Sequence, residues 1–200
     1  MNQITPIDRN SEHDIHSLFL ERWSPRAYDG QPLTDAELLK ILEAAHWAPS
    51  AYNFQPWRFV YALKGTPEFD KLLGLLVEFN QSWAKDAGAL VFIASKTHSL
   101  APGAAAETPL YSHSFDAGAA WGLLSLQARL SGFYAHGMTG LKFDELSEGL
   151  GLTDGYRVEA AVAIGKIADP SVLPEGLRGG EVPSKRRPLA EVAFKGSLGA

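Results

Sequence analysis

The stretch Ala48-Pro49-Ser50-Ala51-Tyr52-Asn53-Phe54-Gln55-Pro56-Trp57 most constrains how this chain can fold. Upstream, Leu38, Ile41, Leu42 and Ala45 recur at the spacing of an amphipathic helix face. Downstream, residues 58–63 form a short β-prone run. Pro49 forbids continuation of the helix, and Pro56 is expected to push Gln55 into an extended conformation. The chain must therefore turn twice between a helix and a strand. Ser50, Asn53 and Gln55 carry side chains that donate and accept hydrogen bonds there. A rigid polar loop on such a scaffold suits a binding site. The competing reading is an ordinary connector with turn-forming residues.

A second cluster precedes it. Ser11 reads as the N-cap of a first helix whose apolar stripe is Ile15, Leu18 and Phe19. Pro25 ends that helix near Trp23, so Arg22, Ser24 and Arg26 emerge at a turn. Arginine pairs bidentately with phosphate; surface salt bridging is the alternative. His13 and His16 lie three apart, but without a carboxylate or third ligand at metal-site spacing they read as solvent-facing side chains.

The other elements follow from local signals. Thr34-x-x-Glu37 is a capping box opening the second helix. Thr66-Pro67 starts another, with Phe69, Leu72, Leu73 and Leu76 on its apolar face. Residues 89–94 form an uninterrupted apolar run, expected as a central strand covered on both faces. Residues 97–109 read as a loop. Residues 114–130 form the longest helix candidate, with Ala117, Gly118, Ala119, Ala120 and Gly122 as a small face and Leu123, Leu126 and Leu130 opposite. That small face suits either a buried core helix or close approach of a partner helix. Residues 143–150 suggest a short helix, and Val158, Ala160, Val162 and Ile164 alternate as a strand. From Lys166 the chain is rich in Pro and Gly and reaches Lys185-Arg186-Arg187-Pro188-Leu189.

Arg22-x-Ser24-x-Arg26, followed by Pro49-Ser50-x-x-Asn53-x-Gln55-Pro56-Trp57, resembles the paired signature of the FMN-dependent nitroreductase family. The resemblance runs from about residue 15 to about residue 194. It implies an α+β fold with a mixed sheet flanked by helices, and a homodimer whose C-terminal arms, residues 183–200, are exchanged. It implies FMN at the dimer interface, with Arg22, Trp23, Ser24, Arg26, Pro49, Ser50, Asn53, Gln55, Met138, Thr139, Gly140, Lys185 and Arg186 binding it. Arg22, Ser24 and Arg186 would meet the phosphate, with Lys185 and Arg187 as rivals of Arg186. Asn53 would meet the flavin's polar edge or ribityl hydroxyls, and Arg26 would stabilise the reduced ring near N1. Backbone amides at 137–140 would face N5, although Met138 and Thr139 stand where the family often has proline or glutamate. NADH or NADPH would donate a hydride, and nitroaromatics or quinones would accept the electrons in ping-pong order. The resemblance implies no dedicated catalytic acid or base. His136 is a candidate proton donor or, alternatively, a structural histidine. Other flavin chemistry, a non-catalytic flavin carrier and a flavin-free dimeric scaffold are the remaining alternatives.

Composition agrees with a small-molecule enzyme. The 200 residues suit one domain, covering 1–200. A net charge of −5 argues against nucleic acid as partner. There are no cysteines, which excludes disulfides and thiolate chemistry, and no metal site is expected. Residues 1–6 lack a signal-peptide layout, and no apolar run is long enough to span a bilayer. A cytoplasmic location is the expectation.

Overall fold

The apolar run at 89–94 becomes the middle of a four-stranded sheet. The computed structural model describes residues 9–198, so residues 1–6, read above for a targeting segment, lie outside the described residues. In chain order the elements are α1 (Ser17–Glu21), α2 (Asp35–His46), β1 (Trp57–Leu63), α3 (Pro67–Gly74), α4 (Glu78–Ala84), β2 (Ala89–Lys96), β3 (His98–Ser99), β4 (Thr108–Pro109), α5 (His113–Leu130), β5 (Tyr134–Met138), α6 (Leu146–Leu150), β6 (Tyr156–Gly165) and α7 (Glu175–Arg178). Sheet order is β1-β2-β6-β5.

The α+β class with flanking helices is as expected. The sheet differs in one respect: each neighbouring pair of its strands is antiparallel, where a mixed sheet was expected. Side chains alternate across it with period 2. Leu90 and Phe92 of β2, with Ala161 and Ala163 of β6, join a core with Leu72 of α3 and Trp83 of α4. Val91, Ile93, Val162 and Ile164 join the opposite core with Leu38 and Ile41 of α2 and Leu124 of α5. Both faces are thus covered, which explains why β2 reads as continuous rather than alternating hydrophobicity.

The helix starts follow their sequence signals. Thr34 Oγ1 accepts from Glu37 N, and the Glu37 carboxylate accepts from Thr34 N at 2.8 Å. The carboxylate also accepts from Thr34 Oγ1 at 2.8 Å, and the bonds it accepts from the Thr34 backbone and hydroxyl hold the Glu37 carboxyl below the usual carboxylate range. Thr66 caps α3, with Pro67 in its first turn. In α5 the inward face is Ala117, Ala120, Leu124 and Ala128, all buried. The expected division into a small and a large face is therefore corrected. Ala117 and Ala120 are core residues packed in one cluster with α2 side chains, because their short side chains let the two helices approach. Gly118 stays exposed, and Leu130 lies on the surface.

Three further expectations change. The first helix begins at Ser17, not near Ser11, and His16 caps it by accepting from Leu18 N through Nδ1. Its apolar stripe is not buried: Ile15 is 45% and Phe19 54% exposed. The 97–109 loop folds back on itself, as β3 pairs antiparallel with β4.

Candidate functional site

The loop at 49–56 is set by backbone geometry that few sequences adopt. Tyr52, Asn53 and Gln55 have φ of 49°, 56° and 48°. Left-handed backbone costs a non-glycine residue roughly 1–2 kcal/mol, so the surroundings must hold it. The extended conformation expected at Gln55 is thus corrected. Pro56 disfavours the right-handed helical region for its predecessor, and the left-handed one is taken instead. Ser50 Oγ accepts from Gln55 N at 3.0 Å, and Gln55 Nε2 donates to Asn53 O at 3.0 Å. Ala51 N donates to the buried carboxylate of Asp116 at 3.2 Å, which Ser112 Oγ also reaches at 2.8 Å. Held in this way, the loop leaves Asn53 exposed. It borders a cavity of about 730 Å³ lined by Leu42, His46, Phe54, Gln55, Trp57 and Arg58 among others.

The second assembly is cationic. Arg22 Nη1 donates to Ser24 Oγ at 3.3 Å, and Arg186 Nη1 to Ser184 Oγ at 3.2 Å. Arg9 lies with them: burial, then repulsion from Arg9 and Arg186, holds the Arg22 guanidinium below its ordinary pKa. Among the described residues no carboxylate forms an ion pair with Arg9, Arg22 or Arg186. The nearby acids are engaged elsewhere. Glu21 pairs with Arg129 at 3.0 Å, Glu181 lies 4.0 Å from Arg26, and Glu12 accepts from Leu189 N at 2.8 Å. Converging guanidinium groups without a counter-charge are unfavourable unless an anion joins them.

Beside this cluster, Glu181 closes the turn after α1. Its Oε1 accepts from Arg26 N and, at 2.7 Å, from Ala27 N, while the buried Oε2 accepts no hydrogen bond from the described residues and lies 4.0 Å from Arg26 Nη1. His136 on β5 meets Pro25 O through Nδ1 at 2.9 Å and stacks near Trp83 at 4.7 Å between centroids. Burial lowers its pKa, so at neutral pH it is the uncharged form that donates to Pro25 O. That bond is a structural role. Past the end of β5, no hydrogen bond of the described residues uses the N–H of Thr139 or Gly140. Gly140 O accepts from Val77 N and Asn80 Nδ2, and a Cβ at Gly140 would lie 2.6 Å from Asn80 Nδ2.

The structure therefore brings Arg22, Ser24 and Arg26 together with Arg186 and, through His136, with β5. Two expected residues present no free side chain. Trp23 is buried with its ring against Tyr134, and Met138 is in the core, so only their backbones are available to a ligand. Pro49, Ser50, Asn53 and Gln55 stand apart: no hydrogen bond or ion pair among the described residues joins them to 22–26. Sequence reasoning missed Arg9, Asp116 and Glu181. Arg9 belongs to no local motif, and the two acids show their role only through backbone groups 65 and about 155 residues away. A third polar group is structural. A bulge at Ile93/Ala94 aims Glu159 at Ser95 Oγ (2.6 Å) and Ser114 Oγ (2.9 Å), with His113 beside them, and Ser95 is fully buried.

Among the described residues no helix is long and apolar enough to cross a membrane. The sequence profile of the nitroreductase family matches residues 20–68, the segment that carries both motifs. A crystal structure of an oxidoreductase containing FMN is 52% identical, covers 97% of this chain and 98% of its own, and superposes with a TM-score of 0.92. The CLA biosynthesis enone reductase of Lactiplantibacillus plantarum is 29% identical over 190 residues, 78% of this chain and 87% of that protein. An oxygen-insensitive NADPH nitroreductase of Helicobacter pylori strain J99 is 33% identical over 100 residues, 49% of this chain and 47% of that protein. A near full-length match with the same fold, joined to the family match over both motifs, means that the chain belongs to the nitroreductase family of NAD(P)H-linked flavin oxidoreductases.

Proposed function

We propose that the protein binds FMN and carries electrons from NAD(P)H to small electron-poor acceptors such as nitroaromatics or quinones, in ping-pong order. The observation that carries this reading is the convergence of Arg22, Arg186 and Arg9 without an acidic partner among the described residues. A phosphate, nearly doubly charged, fits such a cluster. When bound, the flavin supplies the redox chemistry. The chain's residues hold it. Arg22, Ser24 and Arg186 meet the phosphate, with Lys185 and Arg187 beside them. The unused N–H groups of Thr139 and Gly140 are donors for the ring. The exposed amide of Asn53 suits polar edges or hydroxyls. Arg26, whose guanidinium is part-exposed and 4.0 Å from Glu181, brings positive charge to the turn that His136 of β5 holds through Pro25 O.

Titration of ligand-free protein with FMN and with riboflavin tests the phosphate role. A preference for FMN of about tenfold or more is expected from even one charge-assisted bond, and equal affinities would overturn it. Anaerobic NADH or NADPH should then bleach the bound flavin, and a quinone should restore its colour. An unbleached flavin would mark a carrier instead.

The reading includes a homodimer in which the partner's 49–55 loop completes each site. Two observations support it: that loop is unbonded to 22–26, and Leu189, Val192, Phe194 and Leu198 are exposed along the C-terminal arm. Sedimentation at micromolar concentration should find dimer only, with an interface above ~2,000 Å². A flavin-loaded monomer would refute the shared site.

A further inference from the structure

The segment at 9–12 is not part of either motif, yet it holds the root of the C-terminal arm at two points. Arg9 Nε donates to Ser184 O at 2.9 Å. Its Nη1 donates to Leu20 O and to Arg22 O, both at 2.8 Å. Three residues on, Glu12 accepts from Leu189 N at 2.8 Å. Between the two gripped positions of the arm, Ser184 and Leu189, lies the cationic run Lys185-Arg186-Arg187. The same guanidinium that ties down the arm also ties down the carbonyls at the end of α1, from which Arg22 projects.

These bonds use one edge of Arg9. Its second terminal nitrogen has no partner among the described residues, and neither do those of Arg22 and Arg186. The contact is not driven by an acid, because no carboxylate pairs with Arg9 among the described residues. It is also opposed electrostatically: burial first, then repulsion from Arg186, lowers the pKa of Arg9. A surface arginine free to choose its rotamer would leave two like charges for solvent. Its retention by three carbonyls makes sense where an anion compensates the crowding.

We infer that residues 9–12 form a strap that builds the anion site, with Arg9 and Glu12 as positioning residues that bring Arg186 to face Arg22. The inference rests on the phosphate reading above and goes beyond its motif residues. The three-carbonyl grip requires the planar fork of arginine. A lysine would keep the charge and lose the geometry.

The experiment compares FMN with riboflavin binding in the wild type and in Arg9→Ala, Arg9→Lys and Glu12→Ala. Arg9→Ala should lose about tenfold in FMN affinity with riboflavin affinity nearly unchanged. Arg9→Lys should lose almost as much, and Glu12→Ala should lower the FMN preference in the same direction. A general folding defect would weaken both ligands together. An unchanged FMN-to-riboflavin ratio in Arg9→Ala, or full rescue by lysine, overturns the strap. If the wild type itself shows no FMN preference, the phosphate reading falls and the strap with it. A second measurement needs no variant: FMN, but not riboflavin, should slow tryptic cleavage after Lys185 and Arg186. Equal protection by both ligands would also overturn the strap.

Discussion

Replacing Arg22 and Arg186 together by methionine is expected to weaken FMN binding by about two to four decades and to raise the thermal midpoint of the ligand-free protein. Each charge-assisted hydrogen bond contributes roughly 1.5–3 kcal/mol, and about 1.4 kcal/mol is one decade in affinity. The two side chains share one ligand, so the single effects will not simply add. The opposite sign for the ligand-free protein follows from the crowding. Burial and then repulsion from Arg9 and Arg186 lower the pKa of Arg22. A base whose folded pKa lies below its unfolded value opposes folding wherever it is charged, which for arginine covers all ordinary pH. Methionine keeps most of the apolar stem and removes the repulsion. Isothermal titration and thermal unfolding with and without FMN check both signs. A variant that still binds FMN within threefold of wild type would sink the phosphate assignment, and a lower ligand-free midpoint would sink the crowding argument.

Glu181→Ala is expected to destabilise the protein by about 3 kcal/mol, chiefly by stranding the two backbone donors its carboxylate satisfies. The Glu181 side chain is 2% exposed and satisfies the N–H groups of Arg26 and Ala27. Truncation leaves those donors unpaired, at about 1–3 kcal/mol per buried group, and frees the Arg26 guanidinium. At 200 residues the loss should lower the thermal midpoint by about 6–12 °C. Because Glu181 holds the turn that carries Arg22, Ser24 and Arg26, FMN affinity should fall as well. Glu181→Gln keeps one acceptor oxygen and should recover part of the stability. Denaturant unfolding decides the matter: a loss of unfolding free energy under about 1 kcal/mol would mean that the turn holds itself.

The two assemblies differ in how far local sequence could announce them. The loop at 49–56 was visible from its prolines and polar residues, but its conformation was not. Pre-proline sterics exclude one region for Gln55 without choosing between the two that remain, and the choice was made by bonds from Ser50 and Asp116. The cationic site was half visible, since Arg22 and Ser24 sit in a compact motif and Arg186 in a basic run. Glu181 was invisible because the backbone groups it holds lie about 155 residues away, and Arg9 because its bonds to Leu20 O, Arg22 O and Ser184 O follow no local motif.

The strands and helix starts were set locally. Residues 89–94 had to be a central strand because no polar side chain interrupts them, and Thr34, Glu37, Thr66 and Pro67 had to open helices because they satisfy the first free N–H groups or need none. The faces of α5 were decided by packing, since alanine and glycine carry too little side-chain area to declare which way they point. The sheet's fully antiparallel pairing was likewise a tertiary outcome. Strand direction depends on how intervening helices return the chain, and hydrogen bonds between strands form equally from sequences that look alike in isolation. The same physics divides the site: a side chain's charge and donors are written in the sequence, whereas the lack of an acidic partner for Arg22 among the described residues is a property of the folded neighbourhood alone.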